Sequence, residues 1–550
     1  MGKLFYEEAT SELIQKYNDE ATALVEEIKN SPTNVEVTGT KYYVSSSEGD
    51  DNNDGLSPES AWKSVQKVND TTFEKGVGIF FKRGDEWRIK DPLNVRSGMT
   101  ISAYGEGKKP RFIGSVDASG ADKWEKTEYE NIWKYTEKIG GFEYNVGAII
   151  FDGGRAWGIH VSPMDDGCRV DNGTVYNGFE TYTIERGPFA GAKDLQGNLE
   201  FYHEIDRDPS VDTLYLYCRE GNPGEVFKSI ELVDRGELIN ILDGDPQDWN
   251  KNTSTDIMID NMDMYAACFG VGSHNVKNVT VQYCTFRWMG GSIQGINMFG
   301  RNFSTRYGNA IESFGYADGF IMRYNYATQV YDCCWTAQHT GAVRFNNVQM
   351  YKNVADFANT GPEVWIGSGG SVTNLQIHDN YNRYMGYGFS HQRPAIESPH
   401  DKKGSGWIGA GGIFYGEYVT HLAPGSEFYG NDVYNNVNMF ADSGLSQARF
   451  VHPKTYNFHD NICILEEGKR FGKWAPYDVR DNVCIPEDAK KPEIIDGEEY
   501  PPSRMYMYNK EDLEELAKYG IELGTKFYYT KPGSQGNLFE LSLPDSGYIL

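Results

Sequence analysis

The sequence predicts an all-β chain built mainly as a parallel β-solenoid, and three observations carry that expectation. A short run of an apolar residue, two mostly polar residues and Asn recurs: MIDN at 258–261, QYC at 282–284, MRYN at 322–325, MYKN at 350–353, IHDN at 377–380, FYGN at 428–431, FHDN at 458–461 and VRDN at 479–482, with Cys284 in place of Asn. The closing positions lie 23, 41, 28, 27, 51, 30 and 21 residues apart. A period of roughly 20–30 residues, with strands and no helices, is what one coil of a stacked parallel sheet needs. The 61 Gly, 37 Tyr and 28 Phe among 550 residues call for short strands and tight turns, which argues against a helical bundle. Helical patterns are confined to the start of the chain, a short piece after Ser57, and EDLEELAKYG near the end.

Each part follows in order. Leu13, Ile14, Tyr17, Ala21, Leu24, Val25 and Ile28 approach a 3.6 period, so residues 1–35 are expected to form a helical cap over the end of a sheet. The solenoid is expected to start over 41–115. KYYVSSS reads as a strand, DDNNDG as a turn, and SPES as a helix start capped by Ser57 with Pro58 in first position. GVGIFFKRGDEWR, LNVRSGMTISAYG and KPRFIGS then read as strands broken by Gly turns. Residues 116–245 carry longer β segments (NVGAIIFDGG, LEFYHEI, TLYLYCREG) without the short repeat, which points to an inserted β-rich domain. Coils resume over 246–490, with the two long intervals holding loops at 295–308 and about 393–424. Residues 491–550 are expected to cover the other end. Asn suits the coil corner because it tolerates the left-handed conformation and can bond to its equivalent in the next coil.

Acids outnumber bases 79 to 52, a formal charge of −27. That speaks against a nucleic-acid partner or an anionic membrane, both of which select clustered Lys and Arg. No window approaches ~18 uninterrupted apolar residues, so no transmembrane helix is expected. The first residues lack an apolar signal core, so a cytoplasmic location is expected unless a signal was removed. The eight Cys form no CxxC pair and read as buried free thiols rather than zinc ligands. Flat solenoid flanks leave an oligomer open, although no coiled-coil heptad is visible.

YYVSSSEGDDNNDGLSPESAWKSV, followed by FFKRGDEWR and TISAYGEGKKPRFIGS, resembles the opening of bacterial right-handed parallel β-helix carbohydrate-active enzymes. The inserted domain and the stretch YGNAIES…VYDCCWTAQ resemble that group too. In architecture the chain is similar to glycoside hydrolase families 120 and 141, where a β-helix carries an inserted β-sandwich. The resemblance implies an all-β fold: a right-handed parallel β-helix with an inserted β-sandwich-like domain and short capping helices. It implies a carbohydrate substrate, while the fold itself hosts both hydrolases and lyases.

Chemistry is sought where equivalent coil positions stack. Ten places after each closing Asn stand Val271, Gln294, Trp335, Glu363 and Ser390; Asp332 and Tyr387 fall at the seventh place. Glu312 follows the first long loop. Glu312, Asp332 and Glu363 are therefore expected on roughly one face, each among apolar neighbours, where an unpaired carboxylate is costly unless it has a task. Glycoside hydrolysis supplies one, with an acid for the leaving oxygen and a second carboxylate as nucleophile or base. Asp332 is the expected nucleophile or base, Glu363 the acid, and Glu312 a third carboxylate able to take either role. Gln294, Trp335, Gln338, His339, Trp365, Tyr387, His391 and Arg393 are the expected sugar contacts, rings against the apolar face and donors to the hydroxyls. Trp365 can equally fill the interior, and His339 and His391 can equally be structural. Bulging loops and the insert favour a closed pocket and exo-action on oligosaccharides. Two other readings stay open. One is a polysaccharide lyase using Arg287, Arg323, Arg344, Arg383 or Arg393 as base. The other is a non-catalytic glycan-binding solenoid. No cofactor is required, although an acid cluster can hold Ca²⁺.

Overall fold

The computed structural model describes residues 4–139, 145–161, 173–178, 181–184, 189–206, 211–234, 236–245, 252–293, 306–339, 341–366, 369–389, 411–417, 426–441, 443–446, 457–474, 493–495, 498–500, 505–518 and 524–534. It is mostly β, with parallel pairing along the main body. One parallel sheet runs from Lys41–Val44 through Gly78–Lys82, Thr100–Tyr104, Ser254–Asp260, Val276–Gln282, Ala317–Arg323, Gln349–Tyr351, Gln376–His378 and Asp432–Tyr434 to Asn457–His459. A second stacks Asp263–Ala267, Thr285–Met289, the first half of Tyr326–His339, the first half of Val354–Ile366, Tyr381–Arg383, Val437–Met439 and Asn461–Glu466. A third stacks Glu237–Ile241, Phe269–Ser273, Ile311–Phe314 and the second halves of the same two long strands. Successive coils thus lie on one another in register. Their inward residues, among them Ile259, Val281, Met322, Met350 and Ile377, share one apolar core.

Three columns of left-handed residues bend each coil, one of them within the first sheet at Asp256, Asn278, Gly319, Asn347, Asn374 and Gly430. Tyr283, Tyr324, Lys352, Asp379, Asn435 and Asp460 have φ between 50° and 56°. Each immediately precedes a ladder position occupied by Cys284, Asn325, Asn353, Asn380, Asn436 and Asn461. The corner strain therefore falls one residue before the position expected from the sequence. The ladder asparagines do the bonding instead. Asn325 Nδ2 donates to Asn353 Oδ1 (3.2 Å), Asn353 to Asn380 (3.0 Å), Asn380 to Asn436 (2.9 Å) and Asn436 to Asn461 (3.0 Å). Asn436, not Asn431, is the member in its coil; Asn431 instead accepts from the Leu375 N–H at 3.0 Å. Asn261 also stands one place early, at a left-handed position. The second bend joins the second and third sheets at Ala266, Trp288, Gln329, Phe357, Tyr384 and Phe440, all at positive φ.

The helix Ser11–Lys29 starts where Thr10 Oγ1 accepts from the Leu13 N–H (3.2 Å). It lies along the flank of the stack rather than across its end. Its apolar stripe needs a face several coils long: Leu13, Ile14 and Tyr17 pack with Val437, Met439 and Ile462, and Val25 and Ile28 with Val354. End closure falls to Tyr6–Glu8, which pairs in parallel with Thr525–Thr530.

Between Val116 and Val233 the described strands pair only with one another. Trp124–Lys126, Ile132–Tyr135, Leu214–Tyr217, Glu200–His203 and Ile159–His160 make one main sheet; Val116–Asp117, Ile230–Val233, Ala148–Phe151 and Ala156–Trp157 make the other, and Gly173–Tyr176 pairs with Thr181–Ile184 in a two-stranded ribbon. Phe151, Phe201, Leu216 and Leu232 belong to the apolar cluster that both sheets share. Ala148, Ile150 and Trp157, on the opposite face of the smaller sheet, pack with Ala266, Trp288, Tyr331 and Phe389 of the coils. That contact brings the inserted sheets up against the residue preceding Asp332.

Candidate active site

Side chains alternate in and out along each strand, and parity decides which residues can do chemistry. In the third sheet Ile311, Trp335 and Pro362 are direct partners, as are Glu312, Thr336 and Glu363 one residue on. Trp335 is fully buried in the main core. It fills the coil interior and offers no ring to a sugar, which corrects the expectation of a substrate contact. Counting from the ladder placed Trp335 and Glu363 in one column. The structure offsets them because Tyr326–His339 bulges between Val330 and Cys333. Val330 pairs with Ala358 and Cys333 with Thr360, so Tyr331 and Asp332 together oppose Asn359.

Asp332 sits on that bulge, partly exposed, its N–H donating to Gly308 O at 3.2 Å. Bulges re-aim side chains, and this one turns Asp332 toward the same outer face as the two glutamates. The Cys333 N–H donates to Asn309 Oδ1 (2.9 Å), and Asn309 Nδ2 donates to Glu312 Oε2 (2.6 Å). Gln338 also hydrogen-bonds Glu312. Across the column, Glu363 Oε2 accepts from the Cys333 thiol (2.7 Å) and the Thr336 hydroxyl (3.3 Å). The thiol is also 3.5 Å from Asp332 Oδ1. The sequence-derived trio of Glu312, Asp332 and Glu363 is therefore brought together around one thiol and one amide.

Burial is the main cause that pushes the Glu312 carboxyl up to about 7, and the negative charges of Glu237 and Asp332 add to it against the amides of Asn309 and Gln338. Glu237 was not recognised from sequence. It opens the strand that returns from the insert, and its carboxyl lies over Gly272, the direct partner of Glu312. Its only sequence signal is the glycine, which leaves room above that rung.

A second outward column runs two residues further along. Phe314, Gln338 and Trp365 are direct partners and all partly exposed. The His339 ring stands 4.8 Å from Phe314, and its Nδ1 accepts from the Gly341 N–H at 2.9 Å. Burial lowers its pKa, which favours the neutral ring beside the aromatic column. Gln338, His339 and Trp365 are thus close to the acids, and Phe314 joins them as a residue the sequence reading did not select. Tyr387 does not join them. It is buried in a cluster with Phe357, Met439 and Phe440, with Lys469 Nζ 5.7 Å from its ring centroid. Gln294, His391 and Arg393 lie outside the described residues.

Of the five arginines weighed as lyase bases, the four that lie among the described residues are engaged. Arg287 pairs with Asp263 (2.8 Å), Arg383 with Asp356 (2.7 Å) and Arg344 with Glu427; Arg323 donates to Gln282 and to the Tyr351 hydroxyl. Among the described residues, no group of three or more His, Cys, Asp or Glu is arranged to hold a metal ion. No described helix is long and apolar enough to cross a membrane.

No family model matches the chain. Solved structures similar to it include a glycoside hydrolase (TM-score 0.34, 11% identity, covering 93% of this chain and 100% of that one) and XylC in complex with xylose (0.34, 12%, covering 78% and 76%). A GH136 lacto-N-biosidase from Eubacterium ramulus is a further one (0.29, 12%, covering 83% and 67%). By sequence, the chain is 26% identical over 210 residues to a lacto-N-biosidase of Bifidobacterium longum subsp. longum, a match covering 34% of this chain and 12% of that protein.

Proposed function

We propose that this chain is a glycoside hydrolase that removes small sugars from the end of an oligosaccharide, on a right-handed parallel β-helix. The hand follows from the strong preference of parallel crossover connections. The observation that carries the activity is the column Glu312–Thr336–Glu363: two buried carboxylates aimed out of one sheet, two rungs apart with Thr336 between them. Two rungs of a parallel sheet span about 9.6 Å between backbones, near the range of about 6.5–9.5 Å that separates the carboxyls of inverting enzymes.

The roles differ from those expected from sequence. Glu312, with its carboxyl near 7, is suited to keep a proton at neutral pH and hand it to the glycosidic oxygen. Glu363 stands opposite as the carboxylate that activates water. Asp332, on the bulge between them, orients the sugar or supports the developing positive charge. Phe314 and Trp365 offer rings to the apolar face of the sugar, and Gln338 lies between them. The likeness to a lacto-N-biosidase makes oligosaccharides ending in lacto-N-biose the first substrates to test.

The test is a screen of purified protein on para-nitrophenyl glycosides and on oligosaccharides with lacto-N-biose ends. Products are read by chromatography together with ultraviolet absorbance. The expected result is free mono- or disaccharide without the absorbance of an unsaturated uronate. That absorbance would instead establish a lyase, and internal fragments from a long chain would contradict exo-action. Inverted product stereochemistry, followed by nuclear magnetic resonance, is expected for the two-rung pair.

A further inference from the structure

We infer that Cys333 is a positioning residue of this site, its thiol holding Glu363 while its backbone N–H anchors the amide that binds Glu312. The inference rests on the hydrolase reading above and concerns how the two carboxylates are given different tasks. Cys333 and Cys334 are adjacent, yet they live in different surroundings. Cys334 lies in the main apolar core, where burial pushes its thiol well up. Cys333 follows the bulge directly and faces the acids, 2.7 Å from Glu363 Oε2 and 3.5 Å from Asp332 Oδ1.

The bonds form a chain. Asn309 donates to Glu312 and accepts from the Cys333 N–H; the Cys333 thiol and the Thr336 hydroxyl converge on one oxygen of Glu363. Hydrogen bonds that a carboxylate accepts favour its charged form over its acid form. Glu363 has two such donors on a single oxygen. Glu312 meets amides too, but it also faces the charges of Glu237 and Asp332 from a buried position. One residue thus touches both halves of the site, and a shift of Cys333 would disturb the water-activating carboxylate and the proton donor together. Cys333 is 2% exposed, so its thiol meets carboxylate oxygens and not solvent.

The test compares Cys333→Ala with Cys333→Ser on the first confirmed substrate across pH. Without its donor, Glu363 takes up a proton more readily, so the acidic limb of kcat/KM is expected to move up by roughly half to one pH unit in Cys333→Ala. Cys333→Ser, whose hydroxyl restores the donor, is expected to bring the limb back. A structural thiol would lower the melting temperature in both variants and leave the limb in place. The infrared S–H stretch supplies a second measurement on unaltered protein: a band displaced to lower wavenumber, lost in Cys333→Ser, is expected. An unshifted acidic limb in Cys333→Ala, while Glu363→Gln is inactive, would overturn the inference and leave the hydrolase reading intact. The absence of a displaced S–H band would overturn it equally. Near-normal turnover by Glu363→Gln would remove the carboxylate assignment, and this inference with it.

Discussion

Two columns of the same coils put the register to opposite uses. On one corner like residues repeat: Asn325, Asn353, Asn380, Asn436 and Asn461 bond each to the next, and beside them the rings of Tyr351, His378, Tyr434 and His459 stack at 4.7–4.8 Å within 8° of parallel. An amide both donates and accepts, and a ring has two faces, so repetition satisfies every member. A carboxylate has no such complement. Two of them on neighbouring rungs, about 4.8 Å apart, would repel strongly in a buried setting. The acid column therefore interposes Thr336 between Glu312 and Glu363 and supplies donors from outside the repeat, from Asn309 and Cys333. Stability comes where the repeat is kept, and the proposed chemistry falls where it is broken.

The contrast can be broken most sharply at the acids. Glu312→Gln and Glu363→Gln are each expected to cut kcat by about a thousand-fold, the usual worth of an acid or base group. Steady-state turnover decides this, and near-normal rates would show that the column is not the site.

The next effect is on stability against pH. The Glu312 carboxyl is raised from 4.5 to about 7, so its contribution is full below 4.5 and is lost as pH rises through 7. The shift corresponds to about 3 kcal/mol as an upper figure. Urea unfolding at pH 5 and pH 8 is expected to show a smaller drop for Glu312→Gln than for the native chain. An equal drop in both would mean that the buried carboxyl is not the cause.

The ladder gives a smaller effect of the opposite kind. Asn353→Ala leaves the Asn325 N–H, the Met322 carbonyl and Asn380 Oδ1 each short of a partner. A loss of about 2–3 kcal/mol is expected by denaturant unfolding, with the pH dependence of the surviving activity unchanged. A changed pH profile would tie the two columns together.

The smallest expected effect is at Glu237. Replacing it by Gln removes a negative charge that raises Glu312, so the basic limb of kcat/KM is expected to move down by roughly half a pH unit. An unmoved limb would place Glu237 too far away to matter.

The period of the coils was legible in the sequence because it is local. Among the described residues an apolar–polar–polar–Asn run marks a corner, and the corner needs only the few residues around it; the run at 479–482 lies outside the described residues. The run stops over 116–245, and between Val116 and Val233 the described strands pair only with one another. The vicinity of Glu312, Asp332 and Glu363 was legible too, since acids among hydrophobes in successive coils fall near one another at any nearby register.

What only the tertiary structure decided is parity. A one-residue shift sends a side chain to the opposite face. The bulge at Tyr331 and Asp332 is built by bonds that no local pattern announces, from Asp332 to Gly308 and from Cys333 to Asn309. That bulge puts Trp335 inside and Thr336 outside, and so separates a core tryptophan from a column of acids. Glu237 arrives over Gly272 only because the chain returns from the insert at that coil, and the first helix runs along the flank only because its apolar stripe matches several stacked rungs. Periodicity is a property of short segments and can be read along the chain. Register and the meeting of distant segments depend on which hydrogen bonds form between coils, and those exist only once the coils are stacked.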